Sequence, residues 1–142
     1  MPVIFHFHDI HFALKNRTAL KRYLDALFIK EGFQLEHLEY IFCTDKYLLK
    51  INQEFLHHNT FTDILTFDFS ASPKNISGEI YISAERVMEN AEKFGASFDN
   101  ELHRVIFHGA LHLCGYKDKL PDDKKLMRKK EDENLKTYFN HP

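Results

Sequence analysis

The stretch HGALHLCGYKD at residues 108–118 constrains this chain more than any other. His108 and His112 are four residues apart, a spacing that on an α-helix puts both side chains on one face, one turn above the other. Gly115 follows, and a glycine there can end the helix because it takes positive φ without steric cost. Once the chain turns at Gly115, Asp118 can swing back toward the two imidazoles. Two imidazoles and a carboxylate form a normal donor set for a divalent metal, zinc first. Three protein ligands leave a fourth position for water, as catalytic zinc sites do. Histidine pairs at this spacing also arise by chance in a chain with ten histidines; the glycine and the third donor turn the reading toward metal. Leu102, Val105, Ile106, Ala110, Leu111 and Leu113 make this the most apolar helix of the chain, and histidines within it need partners. Cys114 points off the ligand face and reads as a buried thiol.

Periodicity orders the rest. Val3–His8 alternates as a strand. Asn16 is placed to cap a helix running to about Glu31, with Gly32 ending it. Residues 35–43 alternate again, with Leu38, Tyr40 and Phe42 opposed to His37, Glu39 and Ile41. Thr44 caps a helix over 45–55 whose first turn holds Asp45. His57, His58, Asn59 and Thr60 form a polar connection. Thr62–Phe69 and Ile76–Ser83 read as strands joined by the turn residues Ser72–Asn75, hence a hairpin. Ser83 caps a helix over 84–94, Gly95 stops it, and Ser97 or Asp99 starts the motif helix. Pro121 and Asp122 open a last, very polar helix to about Phe139, lying on the surface with Leu126, Leu135 and Phe139 as its anchors. The order βαβαββααα predicts an α+β fold. It is a single domain over residues 1–142, a mixed four-stranded sheet packed with about five helices, with the metal site on a central helix.

A chain of 142 residues is long enough for a real core. Its net charge is −2, so contact with nucleic acid would need a local patch. Lys117, Lys119, Lys124, Lys125 and Arg128 supply one beside the motif, suited to RNA backbone phosphates. The competing reading is a solvated helix face, which the acidic run Glu131–Glu133 supports. Cys43 and Cys114 do not make a disulfide framework. No apolar run reaches the length of a membrane span, and the N-terminus lacks the features of a secretory signal. A reduced, cytoplasmic protein is the expectation.

Two blocks resemble the YbeY family of single-strand-specific endoribonucleases. HGALHLCGYKD is similar to H-G-x-L-H-L-x-G-Y-D-H. INQEFLHHNTFTDILTF at 51–67 is similar to L-N-x-x-Y-R-x-K-D-x-P-T-D-V-L-S-F, and GEIYIS at 78–83 resembles G-D-I-x-I-S. The resemblance implies one zinc ion held at His108, His112 and Asp118. It also implies a role in ribosomal RNA processing, including the 3′ end of the small-subunit RNA, in ribosome quality control, and in contact with the ribosome or its proteins. Asp118 stands where the family commonly has histidine. Leu56 stands where it has an arginine, and His58 aligns with its lysine.

In the residues themselves, zinc would polarise a phosphoryl oxygen or lower the pKa of a water. Gly109 stands where zinc peptidases of the H-E-x-x-H type carry their glutamate base, which hurts a peptidase more than a nuclease. His58 is the candidate for a phosphate contact or proton donor, against the simpler reading of a solvated loop histidine. Two alternatives stay open. One is a zinc peptidase with the metzincin ligand pattern. The other is a non-catalytic ribosome-assembly factor with structural zinc.

Overall fold

The computed structural model describes residues 2–58 and 61–140. Four strands and five helices follow in the order β1 (Val3–Phe7), α1 (Arg17–Lys30), β2 (Gln34–Cys43), α2 (Asp45–Leu56), β3 (Ile64–Asp68), β4 (Asn75–Ser83), α3 (Ala84–Phe94), α4 (Phe98–Leu113) and α5 (Pro121–Phe139). The sheet runs β1-β2-β4-β3. β1 and β4 both pair with β2 in parallel, and β3 folds back on β4 as the antiparallel edge. This is the mixed α+β sheet expected, with the hairpin where the turn residues put it. No helix among the described residues is long and apolar enough to cross a membrane.

Local chemistry sets most of the boundaries. Thr44, Ser83 and Ser97 each accept a backbone N–H three residues on, from Tyr47, Arg86 and Asn100. That places the start of α4 at Ser97 rather than Asp99. Asn16 occupies the cap position of α1, but its side chain makes no capping bond. It adopts φ 53° instead, a left-handed conformation that Asn tolerates better than most residues. β3 is shorter than the expected Thr62–Phe69; before it, Thr62 donates its hydroxyl to the carbonyl of Ile64 at 3.3 Å. Asn59 and Thr60 of the polar connection lie outside the described residues.

The main core cluster lies between the sheet and helices α1 and α4 and is reached by α5 through Met127 and Leu135; a smaller second cluster joins Leu48 and Ile51 of α2 to Cys43 and Leu65. Leu126 and Phe139, expected as anchors of α5, are exposed. The buried stripe is instead Met127, Glu131 and Leu135, one turn apart each. Tyr40 is fully buried on β2 and donates its hydroxyl to the carbonyl of Ile106 at 2.8 Å, tying the sheet to the middle of α4. Gly109 lets α4 lie against the sheet. A Cβ there would stand 2.9 Å from two atoms of Ile80 and 3.0 Å from Ile64, closer than side chains pack.

His103 is 2% exposed, and its Nδ1–H donates to the carbonyl of Asp99 at 2.7 Å. Its Nε2 has no partner among the described residues. Burial pulls its pKa below the ordinary 6.5, outweighing the contact with Asp99.

Two measurements test these constraints. Gly109→Ala should lower stability by about 1–3 kcal/mol in denaturant unfolding, since Ile80 and Ile64 must shift; an unchanged midpoint would show that the helix is not seated so tightly. Because the folded state disfavours protonated His103, its contribution is complete above pH 6.5 and is lost as pH falls through that value toward the folded pKa. The melting temperature of His103→Phe should therefore fall less than that of the wild type over this range. Parallel curves would refute the assignment.

Candidate metal centre

The second half of α4 presents His108 and His112 with ring centroids 4.6 Å apart. The helix then stops: Gly115 takes φ 99°, and Tyr116 N–H returns to the carbonyl of Leu111 at 3.1 Å. The Tyr116 hydroxyl donates to Glu31 at 2.7 Å, which anchors the loop to the end of α1. From that anchor Asp118 comes back over the helix, and its Oδ2 lies 3.2 Å from Nε2 of both histidines.

The other ring nitrogens are taken. His108 Nδ1 donates to Glu131 Oε2 at 2.6 Å, and His112 Nδ1 donates to the carbonyl of Tyr116 at 2.9 Å. These acceptors assign the protons to Nδ1 and leave both Nε2 lone pairs facing Asp118. The three donor atoms lie within 4.8 Å of one another. The 3.2 Å separations match the edge of a tetrahedron whose arms are ~2.0 Å, about 3.3 Å. The residues therefore fit a zinc-sized ion. Burial lowers the pKa of His108, but the bond to Glu131 and the charges of Glu131, Asp118 and Asp63 outweigh it, so the net shift is upward. Metal binding at Nε2 therefore competes with protonation there, as is usual for histidine ligands.

Glu131 is the residue that the sequence pattern hid. It is 6% exposed and holds Arg104 at 3.0 Å as well as His108. Arg104 also reaches Asp132 at 2.7 Å. In sequence Glu131 opens an acidic run on a polar helix. The signal was its place one turn from both Met127 and Leu135, on the inward stripe.

The centre opens into a cavity of about 770 Å³ between β3, the end of α3, α4 and α5. Five carboxyl groups line it (Asp63, Asp68, Glu101, Asp118 and Glu131), against the cations Arg104, Lys119 and Arg128. Burial raises the pKa of Asp63 and of Glu101. Leu56 lines the cavity and places no charge there. His58 is exposed and outside the lining; its backbone N–H bonds Asn52. Of the basic segment, Lys119 and Arg128 reach the cavity. Lys117 borders a separate recess beside Tyr116, and Lys124 and Lys125 are exposed on α5. Cys114 is half-buried rather than buried, and burial pushes its thiol up to about 12.

The family described as Endoribonuclease YbeY matches residues 7–139. Proteins named Endoribonuclease YbeY from Flavobacterium psychrophilum and Flavobacterium johnsoniae are each 47% identical over 92% of this chain, covering 93% and 94% of their own lengths. One from Cytophaga hutchinsonii is 44% identical over 94% of this chain and 93% of its own. The solution structure of TM1509 from Thermotoga maritima superposes with a TM-score of 0.65 at 26% identity, covering 97% of this chain and 89% of that one.

Glu131→Gln keeps the shape but removes the charge that orients and polarises His108. Zinc affinity, read by competition with a chromophoric chelator, should fall by roughly 10–100-fold, the usual cost of losing such a partner. An unchanged affinity would show that Glu131 merely fills space.

Proposed function

The chain belongs to the YbeY endoribonuclease family, a hydrolase acting on RNA, and from that premise we propose that it is a zinc-dependent enzyme cutting single-stranded RNA in ribosomal RNA maturation. On this reading its substrates include the 3′ end of the small-subunit RNA, and it serves ribosome quality control in the cytoplasm in contact with the ribosome. One domain over residues 1–142 carries the activity. The observation that carries the metal part is the convergence of two Nε2 atoms on one carboxylate oxygen, with both Nδ1 atoms already committed.

His108, His112 and Asp118 would hold the ion. When bound, zinc supplies Lewis acidity toward a phosphoryl oxygen and acidifies water. The chain's own groups supply the rest. Glu131 keeps His108 in the ligating tautomer, and Arg104 holds Glu131 in place. Lys119 and Arg128 face the cavity and can pair with phosphates. Asp63 lines the cavity, and burial raises its pKa. It is therefore a better candidate to take or return a proton than the exposed His58.

Position 109 argues against the peptidase alternative. A glutamate base there would have to grow from a Cα that already lacks room for a Cβ, and toward the sheet. The assembly-factor alternative is separated by experiment. Wild type with zinc should cut a labelled single-stranded RNA, while His112→Ala should cut roughly a hundredfold more slowly or less, and a chelator should stop the wild type reversibly. Zinc bound stoichiometrically without cleavage would overturn the catalytic reading in favour of a structural metal. Equal cleavage by both proteins would remove the metal centre from the mechanism.

A further inference from the structure

The metal centre accounts for one wall of the cavity, and α3 forms another whose residues the chemistry does not use. Arg86, Asn90 and Phe94 are spaced i, i+4, i+8 and form one stripe of α3, bordered by the buried Val87 and Ala91. Asn90 and Phe94 line the same cavity as His108 and Asp118. Phe94 is 62% exposed, with Lys93 Nζ 5.7 Å from its ring centroid. At the start of α3, two bonds from Asp45 at 2.8 and 3.3 Å fix the Arg86 guanidinium. Phe61, 55% exposed, packs its ring 5.2 Å from that guanidinium. Phe61 directly precedes Thr62 and Asp63, which line the cavity. Two large aromatic rings thus stand in water at the two ends of one helix face, one of them held by a pinned arginine.

We propose that this face of α3, from Phe61 over Arg86 through Asn90 to Phe94, is a stacking ledge for the unpaired bases of an RNA strand whose backbone passes the metal centre. The proposal rests on the endoribonuclease reading. From residue 86 to residue 94 the helix rises about 12 Å at ~1.5 Å per residue, room for about three bases at ~3.4 Å each. Lys119 and Arg128, which form no ion pair within 4 Å among the described residues, line the α5 side of the cavity, so phosphates are drawn there and bases turn toward α3. Every base offers a π-face to a phenylalanine or an arginine plane, which makes such a ledge tolerant of sequence. A duplex has no base faces to offer except at its ends. The ledge therefore selects single strands, and Asn90 adds one amide within reach of a base edge.

The test uses the zinc-loaded full chain and fluorescence anisotropy with three probes: a single-stranded RNA, the same strand with abasic sites, and the duplex. The proteins are wild type, Phe61→Ala, Phe94→Ala, the double variant, Phe94→Trp, and Ile29→Ala as an exposed apolar control on α1. Each ring removed should weaken binding of the normal strand about tenfold. Phe94→Trp and Ile29→Ala should bind as wild type. The abasic strand should bind wild type weakly and be indifferent to the variants, with melting temperatures unchanged throughout. Wild-type affinity in both alanine variants would overturn the ledge and leave these rings to a protein partner. Equal losses on normal and abasic strands would overturn it too, since stacking needs bases. Failure of wild type itself to bind or cut the normal strand would reject the endoribonuclease reading and the ledge with it, a result distinct from failure of the variants alone.

Discussion

The burial of α4 is the constraint on which the site depends. Ten of its residues are buried. Tyr40 donates to the carbonyl of Ile106 from the sheet, and Gly109 removes a side chain that would hold the helix off the sheet. A helix held this way cannot roll. His108 and His112 are thus aimed in one direction before any ligand arrives, and only the loop and α5 remain to complete the centre. Each accepts one hydrogen bond from an Nδ1–H, the loop at the Tyr116 carbonyl and α5 at Glu131. Much of the geometry that a metal requires is built into core packing, so little ordering cost is left for the binding event.

The charge balance of the cavity bears on the same point. Five carboxyl groups face three cationic side chains, and Arg104 is already committed to Glu131 and Asp132. A polyanion entering such a space meets repulsion. A divalent ion among Asp118 and the imidazoles brings the count near neutrality and leaves Lys119 and Arg128 to act on phosphates. Burial, with a smaller contribution from neighbouring carboxylates, raises the pKa values of Asp63 and Glu101, so both are neutralised more easily than a carboxyl in water.

What was legible in the sequence follows from the range of the interactions involved. The metal motif spans eleven residues, and helical spacing with one glycine brings its members together, so local rules suffice. The caps Thr44, Ser83 and Ser97 are equally local, as is the hairpin. Asn16 misled because its identity suits a cap while its backbone takes the left-handed region instead. Glu131 could not be read locally. Its partner His108 lies 23 residues away, and a carboxylate in an acidic run looks solvated until the neighbouring buried positions show which way the helix faces. The strand order β1-β2-β4-β3 has the same character, because nothing in an alternating strand names its neighbour.

Leu56 shows where local reading and site chemistry part. By resemblance it stands where an arginine would serve a phosphate, and its side chain does line the cavity. On the proposed reading, with leucine at position 56, phosphate contact falls to Lys119 and Arg128, which line the same cavity. From α2 the cavity receives only the apolar side chain of Leu56, which is 38% exposed. On the proposed reading, an RNA strand here would be held through its phosphates by Lys119 and Arg128 and would take its second hold elsewhere. Base faces are what remain once phosphates are spoken for, and the exposed rings of Phe61 and Phe94 offer contact of that kind without any charge. The substitution at position 56 and the aromatic face of α3 are then two parts of one arrangement, in which stacking takes over part of the grip that a cation at the mouth would otherwise supply.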